Sequence, residues 1–313
     1  MRPVAALLTG VGYIGAPLLR RLVERHDRVV ALDNFYSTRR EAVAAALPSG
    51  VELIEGDVAD PQVVSTAYER AQSQTGEHMT VYHLAAQPSA AIAEREPEIT
   101  ERTNLVGARV VLEAARDRGA RVVFGGSFRV YGDELVGHTV DEAQPYGRVG
   151  DLSHLSKVYV EQLARMLGGE FVSVRLGVTY GVSPIMKTTP AFMTVPNLFC
   201  QRAAQGEVLN VLEDRPLAFI HVDDAVSALL LAAECAEAGW QIVNAATEVA
   251  TIGQVARTVQ RLLQRRGGWV RLHGAASSEA SFRVASRLDA AGFRPTHTLA
   301  DGLAPVLEYF VAR

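Results

Sequence analysis

Three glycines near the start of the chain have the spacing of a phosphate-binding turn. The apolar run 4–8 ends just before them, and apolar residues recur at helical spacing just after them. In such a strand–turn–helix unit the first glycine permits the turn, the second lets a pyrophosphate approach the backbone, and the third lets the helix pack on the strand. The predicted cofactor contacts of this turn are Gly10, Gly12, Tyr13, Ile14 and Gly15.

An acidic residue ends the next apolar run, where dinucleotide-binding domains recognise the adenosine ribose. A carboxylate at this place, Asp33, accepts hydrogen bonds from the ribose hydroxyls, and Asn34 directly follows it. Together with the glycine turn, this residue predicts an NAD(P)H cofactor. Asp33 favours NAD because it repels a 2′-phosphate, whereas Ser37, Arg39 and Arg40 carry groups that bind such a phosphate. Both NAD and NADP therefore stay open at this point.

The segments that must position these groups alternate between strand-like and helix-like patterns. Further apolar runs occupy residues 51–54, 80–84, 121–124 and 171–176, and helices are predicted over about 98–118 and 154–167. Strands that alternate with helices form a parallel sheet covered on both faces. The predicted fold class is therefore α/β, a doubly wound parallel sheet of the Rossmann type with a smaller C-terminal lobe that binds the substrate.

The division into two lobes follows a change in the character of the sequence after Gly181, where clear periodicity ends. The NAD(P)-binding domain is predicted to comprise 1–178 with 214–246, and the substrate-binding lobe 179–213 with 247–313. Within the second set, segment 183–196 contains three prolines, a lysine and two methionines without periodicity, which predicts an irregular loop with the character of a lid. A second surface loop is predicted over 274–281 from its small, polar residues.

Composition limits the classes of function. With 313 residues, 48% of them apolar and 21% charged, the chain has the make-up of an ordinary globular protein. A formal net charge of −4 without a lysine/arginine tract argues against nucleic acid or a membrane surface as the partner. No apolar stretch has the length of a signal peptide or a membrane span, so a cytoplasmic location is expected. Cys200 and Cys235 lack metal-ligand spacing, which predicts buried free thiols and no metal site.

Short motifs along nearly the whole chain give it a family resemblance. The seven motifs are Asp33-Asn34, Gly56-Asp57-Val58, His83-Leu84-Ala85-Ala86-Gln87, Asn104-Leu105-Val106-Gly107, Ser127 before Val130-Tyr131-Gly132, Arg175 before Tyr180-Gly181, and Phe219-Ile220-His221-Val222-Asp223-Asp224. In the order and spacing of these motifs the chain resembles the extended short-chain dehydrogenases/reductases of the NAD-dependent epimerase/dehydratase type.

The resemblance implies roles for residues that spacing alone does not assign. It implies that Asp57 and Val58 face the adenine of the cofactor. It also implies that the cofactor cleft is lined by three further residues, Leu84, Ala85 and Ala86. Ser127 would stand beside the reacting carbonyl, and Lys157 would hold the nicotinamide ribose.

The chain departs from the family pattern at positions that handle a sugar substrate. Dehydratases of the family carry an acidic pair after the active-site Ser/Thr, where this chain has Phe128 and Arg129. Nucleotide-sugar enzymes of the family tend to place a diphosphate-binding arginine at the position of Leu217. Arg215 lies two positions earlier, where it either replaces that arginine or is a surface residue. These departures disfavour dehydration and weaken the case for a sugar diphosphate.

A further departure lies four positions before Lys157, where the family has a tyrosine and this chain has Ser153. Positions i and i+4 share a helix face, so the ammonium group would lower the pKa of a phenol and help it to protonate a reduced carbonyl. An alkyl hydroxyl is a poor proton donor, although it can hydrogen-bond the carbonyl oxygen. The predicted catalytic residues are therefore Ser127, Ser153 and Lys157, without the usual proton donor.

Three interpretations of the missing tyrosine stay open. The chain could be a catalytically silent NAD(P)-binding protein, Tyr146 or His154 could give the proton, or the substrate could supply it. A phenol or enol beside the ketone would polarise the carbonyl and neutralise the alkoxide, and the chain resembles tyrosine-lacking extended reductases of antibiotic biosynthesis. The preferred hypothesis is an NAD(P)H-dependent ketoreductase acting on an aromatic ketone of the polyketide type. The alternative is a nucleotide-sugar epimerase or reductase.

Overall fold

A seven-stranded parallel sheet runs through the centre of the protein, as the sequence predicts. The computed structural model describes residues 5–72, 79–274 and 280–313. The strands are β1 (Ala5–Thr9), β2 (Arg28–Asp33), β3 (Val51–Glu55), β4 (Met79–His83), β5 (Arg121–Ser127), β6 (Thr139–Val140), β7 (Phe171–Leu176), β8 (Val178–Tyr180), β9 (Leu209–Asn210), β10 (Pro216–His221), β11 (Trp240–Ala245), β12 (Glu248–Thr251), β13 (Leu272–His273) and β14 (Arg283–Val284). The order β11-β7-β5-β4-β1-β2-β3 reverses next to β1, so a crevice opens between the carboxyl ends of β1 and β4.

Helices cover both faces of this sheet. They are α1 (Gly15–Leu22), α2 (Arg40–Ala46), α3 (Pro61–Ala71), α4 (Ala90–Arg95), α5 (Pro97–Thr100), α6 (Ala108–Asp117), α7 (Leu152–Leu167), α8 (Val195–Ala204), α9 (Val222–Cys235), α10 (Ile252–Gln264), α11 (Arg287–Ala290) and α12 (Leu299–Val311). In β1, Ala6 and Leu8 pack in a core with α1 and α9, whereas Ala5 and Leu7 pack in a core with α3, α6 and α7. Burial on both faces explains why the strands read as continuous apolar runs.

Two predicted helices are present with different bounds. The helix expected over 98–118 consists of α5, a π-helical segment (Glu101–Gly107) and α6. The helix that carries Lys157 begins earlier than expected, because Asp151 caps α7. Its carboxylate accepts a hydrogen bond from the backbone N–H of His154, which satisfies one of the free amides at the helix start.

The described residues cover the whole of the first predicted loop and only a part of the second. Segment 183–196 is irregular, with one 3₁₀ turn (Pro190–Phe192), until α8 begins at Val195. The predicted loop over 274–281 falls mostly on residues 275–279, which lie outside the described residues.

The C-terminal lobe has a sheet of its own, with the strand order β12-β10-β8. Helices α8, α10 and α12 contribute to a separate apolar core with this sheet. Strand β10 falls inside the segment 214–246 that the sequence assigns to the cofactor domain. The structure places it in the smaller sheet instead, because Phe219 pairs with Val178 of β8 and with Glu248 of β12. The two-domain division itself stays a prediction.

The two cysteines differ in exposure. Both are free thiols, but Cys200 is buried and Cys235 is exposed. The expectation of two buried thiols is therefore wrong for Cys235, since its place at the last turn of α9 leaves it at the surface. None of the described helices has the length and hydropathy that crossing a bilayer requires.

Candidate active site

A cavity of about 550 Å³ lies over the carboxyl ends of the central strands. The segments that follow β1, β2, β4, β5 and β7 line it, and the segment between β8 and α8 borders it on the side of the C-terminal lobe. The predicted site residues in its lining are Gly10, Gly12, Tyr13, Ile14, Gly15, Asp33, Asn34, Val58, Leu84, Ala85, Ala86, Ser127, Ser153 and Lys157. The fold thus brings most of the predicted cofactor and catalytic residues to one space.

Two predicted cofactor residues lie outside this lining. Arg39 is exposed just before α2, and it is Ser37 that reaches the cavity. Asp57 pairs with Arg102 at 2.8 Å and accepts a hydrogen bond from the backbone N–H of Ala59, also at 2.8 Å. Neither side chain lines the cavity, and the expected cofactor contacts of Arg39 and Asp57 stay predictions.

The glycine turn fits the pyrophosphate of a dinucleotide. Gly12 lines the cavity, and a Cβ atom on it would meet no atom within 4 Å, so open space lies directly against this stretch of backbone. Gly10 has a φ of +89°, and a Cβ atom there would lie 2.6 Å from the amide nitrogen of Ala85. A Cβ atom on Gly15 would overlap the carbonyl oxygen of Gly10. The backbone thus excludes side chains at two positions and leaves the third open to a phosphate at the N-terminus of α1.

The Asp33 carboxylate is oriented by the backbone around it. It accepts hydrogen bonds from the N–H of Val11 at 2.6 Å and from the N–H of Phe35 at 2.7 Å, one on each oxygen. Burial raises the pKa of Asp33, and these two hydrogen bonds oppose the rise. Each oxygen keeps a further lone pair, which suits the two hydroxyls of an adenosine ribose.

The wall of the cavity after β4 is tied to α7, the helix that carries Lys157. Asn104, in the π-helical segment, accepts a hydrogen bond from the N–H of Gln87 at 2.8 Å and donates to the Gln87 carbonyl at 2.9 Å. The same amide donates to the Ser156 hydroxyl of α7 at 3.0 Å. The π-helical turn therefore fixes the distance between the cofactor wall and α7.

Lys157 is anchored at the end of β5. Its Nζ donates a hydrogen bond to the carbonyl oxygen of Gly125 at 2.8 Å and lies 4.7 Å from the centre of the Phe124 ring. Burial lowers the pKa of Lys157 to about 8, Glu161 opposes this shift, and Lys187 adds to it. The ammonium group is therefore fixed in place and loses its charge within the physiological range of pH.

Ser153 occupies the place of the absent tyrosine, and its proton is already engaged. The hydroxyl is buried and donates to an Asp151 oxygen at 2.5 Å, while Nδ1 of His154 lies 2.7 Å from the other oxygen. Burial raises the pKa of Asp151, but the hydrogen bonds from His154 and Ser153 outweigh it and hold that pKa well below its usual range. The Ser153 proton thus points to an ionised carboxylate, not to a substrate oxygen.

Tyr146, the phenol that the sequence analysis considers as a proton donor, does not line the cavity. Its hydroxyl donates to Glu161 at 2.8 Å and accepts from the side-chain amide of Gln162 at 2.8 Å. Glu161 is fully buried and pairs with Arg175 at 2.7 Å. Burial and the Glu161 charge raise the pKa of Tyr146, which makes it a weaker acid.

Two tyrosines do line the cavity among the described residues. The hydroxyl of Tyr13 donates to the carbonyl oxygen of Gly181 at 2.6 Å, and burial raises its pKa. Tyr36 follows the end of β2, and its ring meets the ring of Phe192 edge-on. Strand β2 lies three places from β5, roughly 14 Å at the usual strand spacing, so Tyr36 is remote from Ser127. Neither phenol can take the part of the missing tyrosine.

The end of the cavity away from Asp33 is basic. Arg129, Lys187 and Arg215 line it, and we call these three residues the basic end. Arg129 and Arg215 both pair with Asp133, and burial together with Arg215 lowers the pKa of Arg129. Lys187 is half-buried, and burial lowers its pKa to about 8. The basic end favours a ligand with an acidic or anionic group.

One group of side chains within the described residues has the composition of a metal site, contrary to the expectation of none. His221, Asp223 and His297 bring possible ligand atoms within 4.8 Å of one another. The two imidazole rings, however, stack with their centres 3.8 Å apart and an angle of 19° between their planes. Stacked rings direct their nitrogens side by side, not towards a common point, and His221 caps the positive end of α9. The geometry is that of a ring stack.

Sequence reasoning missed two residues of the site. Asp151 could have been found as an acidic N-cap just before a predicted helix, and its carboxylate holds two groups at the cavity wall, Ser153 and His154. Lys187 lines the cavity itself. Its residue type is unusual for this chain, because only Lys157 and Lys187 of the 31 lysine and arginine residues are lysines. No periodicity marks residues 183–196, so their sequence alone did not place Lys187 there.

Comparisons with known proteins agree with this architecture. The profile described as the NAD dependent epimerase/dehydratase family matches residues 6–246. UDP-glucuronic acid decarboxylase 3 of Arabidopsis thaliana is 27% identical over 267 residues, which cover 81% of this chain and 72% of that protein. UDP-N-acetyl-alpha-D-glucosaminuronate decarboxylase of Bacillus cytotoxicus is 27% identical over 272 residues, which cover 84% of this chain and 81% of that protein.

Solved structures of two epimerases are similar in fold. A UDP-glucose 4-epimerase from Thermotoga maritima, solved with UDP-glucose, superposes with a TM-score of 0.81 and 23% identity over 97% of this chain and 98% of the other. The UDP-glucose 4-epimerase of Thermus thermophilus in complex with NAD superposes with a TM-score of 0.79 and 25% identity over the same shares. The predicted fold class is confirmed by these likenesses.

Proposed function

The chain belongs to the NAD-dependent epimerase/dehydratase family, and from this premise we propose that it is an NAD(P)H-dependent ketoreductase acting on a hydroxylated aromatic ketone of the polyketide type. NAD is the cofactor of the family, and the glycine turn with Asp33 fits it. We assign the reaction to the kind of ketone reduction found in antibiotic biosynthesis. The substrate, in this proposal, carries a phenol beside the ketone.

The observation that carries the proposal is the hydrogen bond that the Ser153 hydroxyl donates to Asp151. An enzyme that begins by oxidising a sugar hydroxyl needs a base to remove its proton. Here the residue four positions before Lys157 is an alkyl hydroxyl whose proton is held by Asp151. Such a group is neither a base for an alcohol nor an acid for an alkoxide. A ketone that carries its own neighbouring phenol needs neither, because the phenol supplies the proton.

The described side chains support the reduction in three ways. The Ser127 hydroxyl oxygen accepts a hydrogen bond from the backbone N–H of Arg129 at 3.3 Å. The proton of the Ser127 hydroxyl is therefore free to hydrogen-bond the ketone oxygen. Lys157 and the basic end favour negative charge as it develops on that oxygen. Leu176, Val178 and Met193 give the cavity an apolar surface that suits a flat ring system. When bound, the reduced nicotinamide supplies the hydride.

A nucleotide-sugar epimerase or reductase is the second candidate, and specific observations favour it. The two decarboxylases reported above carry names that refer to UDP-sugars. Arg215 and Leu217 both line the cavity, and residues two apart on an extended segment share a face. Arg215 is therefore available to a diphosphate even though the family position holds a leucine.

Parallel assays on two substrate classes test the proposal. The protein is mixed with NADH or NADPH and 1,8-dihydroxyanthraquinone, whose C9 carbonyl lies between two phenols, and with its dimethyl ether as the control. We expect cofactor oxidation with the phenol and a rate about a hundredfold lower with the ether, since a lost acid costs that much. UDP-glucose, UDP-glucuronic acid and dTDP-glucose are expected to give neither turnover nor a rise in Tm. Saturable conversion of a nucleotide sugar, without reduction of the quinone, would establish the second candidate instead.

A further inference from the structure

Lys187 differs from the other lysine and the two arginines that line the cavity. Arg129 and Arg215 share the Asp133 carboxylate, and Lys157 donates to a backbone carbonyl. Lys187 is half-buried, and it has no ion pair and no hydrogen bond to its side chain among residues 5–72, 79–274 and 280–313. A partly buried ammonium group without a partner is costly, and an anion brought by a ligand removes that cost.

The backbone that carries Lys187 is fixed to the cofactor turn. The Ser183 hydroxyl donates to the carbonyl oxygen of Tyr13 at 2.7 Å, and the hydroxyl of Tyr13 donates to the carbonyl oxygen of Gly181 at 2.6 Å. Between these anchors and the lysine, Ile185 is buried in the apolar core that the central sheet forms with α1 and α9. Lys187 therefore enters the cavity from a segment whose start is held in place.

The choice of lysine at this position is chemically specific. The chain uses arginine for its cations everywhere except at Lys157 and Lys187, and both lysines line the cavity. Arginine keeps its proton throughout the physiological range, whereas a buried lysine gives and takes one near neutral pH. Burial lowers the pKa of Lys187 to about 8, in the range where a proton donor is most effective.

We propose that Lys187 binds the substrate phenol beside the reacting ketone and returns a proton to it after reduction. This inference rests on the proposed ketone reduction. Hydride forms the new C–H bond at the carbonyl carbon, the cofactor is oxidised, and the carbonyl π pair moves to oxygen. The phenol O–H bond breaks as its proton passes to that oxygen. The resulting phenolate pairs with the Lys187 ammonium group, takes its proton, and leaves a neutral amine that water reprotonates.

The presence of two lysines allows a direct measurement. Reductive methylation with ¹³C-formaldehyde labels Lys157, Lys187 and the terminal amine, and the Lys187→Arg variant assigns the resonances. The labelled protein is saturated with NAD⁺ and titrated from pH 6 to 10 with 1,8-dihydroxyanthraquinone or its dimethyl ether. We expect the phenol to raise the apparent pKa of Lys187 by at least about one unit, since a phenolate stabilises the ammonium form. The ether should leave it unchanged, and the terminal amine should not respond to either.

Kinetics of matched variants separate charge from proton transfer. Lys187→Met should lower kcat at least about tenfold, because the positive charge and the transferable proton are both lost. Lys187→Arg should keep KM within about threefold but lose turnover, since arginine supplies the charge without a transferable proton. Arg202→Met removes a cation of α8 that does not line the cavity and should behave as the parent.

The outcomes distinguish the inference from the function it rests on. A Lys187 resonance that does not respond to the phenol, with turnover unchanged in Lys187→Met, overturns the inference and leaves the ketone reduction standing. A phenol-dependent shift of Lys187 in a protein that reduces no ketone supports the phenol site but overturns the proposed function. Full activity of Lys187→Arg would show that charge alone suffices and would overturn the proton-transfer step.

Discussion

The two ends of the cavity differ in the chemical groups that they present. The end at the glycine turn offers closely approached backbone, and the carboxylate of Asp33 there is held by two backbone amides. The basic end offers long cationic side chains from three separate segments. The first end tolerates little change, because the backbone itself excludes larger residues at Gly10 and Gly15. The second end can change its chemistry by single substitutions, which leave the cofactor turn intact.

A branched side chain at Gly12 tests the first end most severely. Gly12→Val should fold normally, since a Cβ atom there meets no protein atom within 4 Å, but it should occupy the space of the pyrophosphate. We expect dinucleotide binding at least about a hundredfold weaker, or roughly 2.7 kcal/mol, by calorimetry. Gly150→Val is the matched control, because a Cβ atom on that exposed glycine also meets nothing within 4 Å. Equal affinity in both variants would mean that the pyrophosphate binds elsewhere.

The pH dependence should differ between the two ends. The lowered pKa of Lys187, about 8, means that its charge is present below pH 8 and is lost as pH rises through it. We expect kcat/KM for the ketone to fall by up to about tenfold per pH unit above pH 8. The amides of the glycine turn do not titrate there, and Lys157, whose pKa is also about 8, is predicted to meet only the nicotinamide ribose, so the Kd of the dinucleotide should change less than about tenfold between pH 7 and 9. A parallel fall in cofactor affinity would contradict this separation of the two ends.

The smallest effects are expected for Ser153 and Tyr146, the two residues whose hydroxyl groups were considered in place of the family's tyrosine. Ser153→Ala and Tyr146→Phe should each keep kcat within about tenfold of the parent, because a lost acid costs about a hundredfold. Tyr146→Phe should also lower the free energy of unfolding by about 1 kcal/mol, since its bond to Glu161 disappears. Loss of turnover in Tyr146→Phe, or in His154→Gln, with cofactor and ketone still bound, would put the donor on the protein.

Local patterns predicted the cofactor end, and long-range contacts explain what they missed. The turn 10–15 and Asp33 belong to one strand–helix–strand unit, so spacing alone indicated their role. Lys187 reaches the cavity because Ser183 and Tyr13, which are 170 residues apart, bond to each other. Such a long-range contact produces no pattern in the sequence between the two residues. Asp57 matched a family motif, yet its pairing with Arg102 decides where its carboxylate points.

The hydrogen bonds that join Tyr13 to Gly181 and Ser183 to Tyr13 link the two ligands thermodynamically. A dinucleotide that stabilises the glycine turn should also stabilise the start of the segment that carries Lys187. Linkage is reciprocal, so the factor by which cofactor tightens the binding of ketone must equal the factor by which ketone tightens the binding of cofactor. Ser183→Ala, which removes one of the two bonds, should reduce both factors equally. Cofactor and ketone should therefore each bind more tightly when the other is present, because the same two hydrogen bonds join the proposed cofactor turn to the segment that carries Lys187.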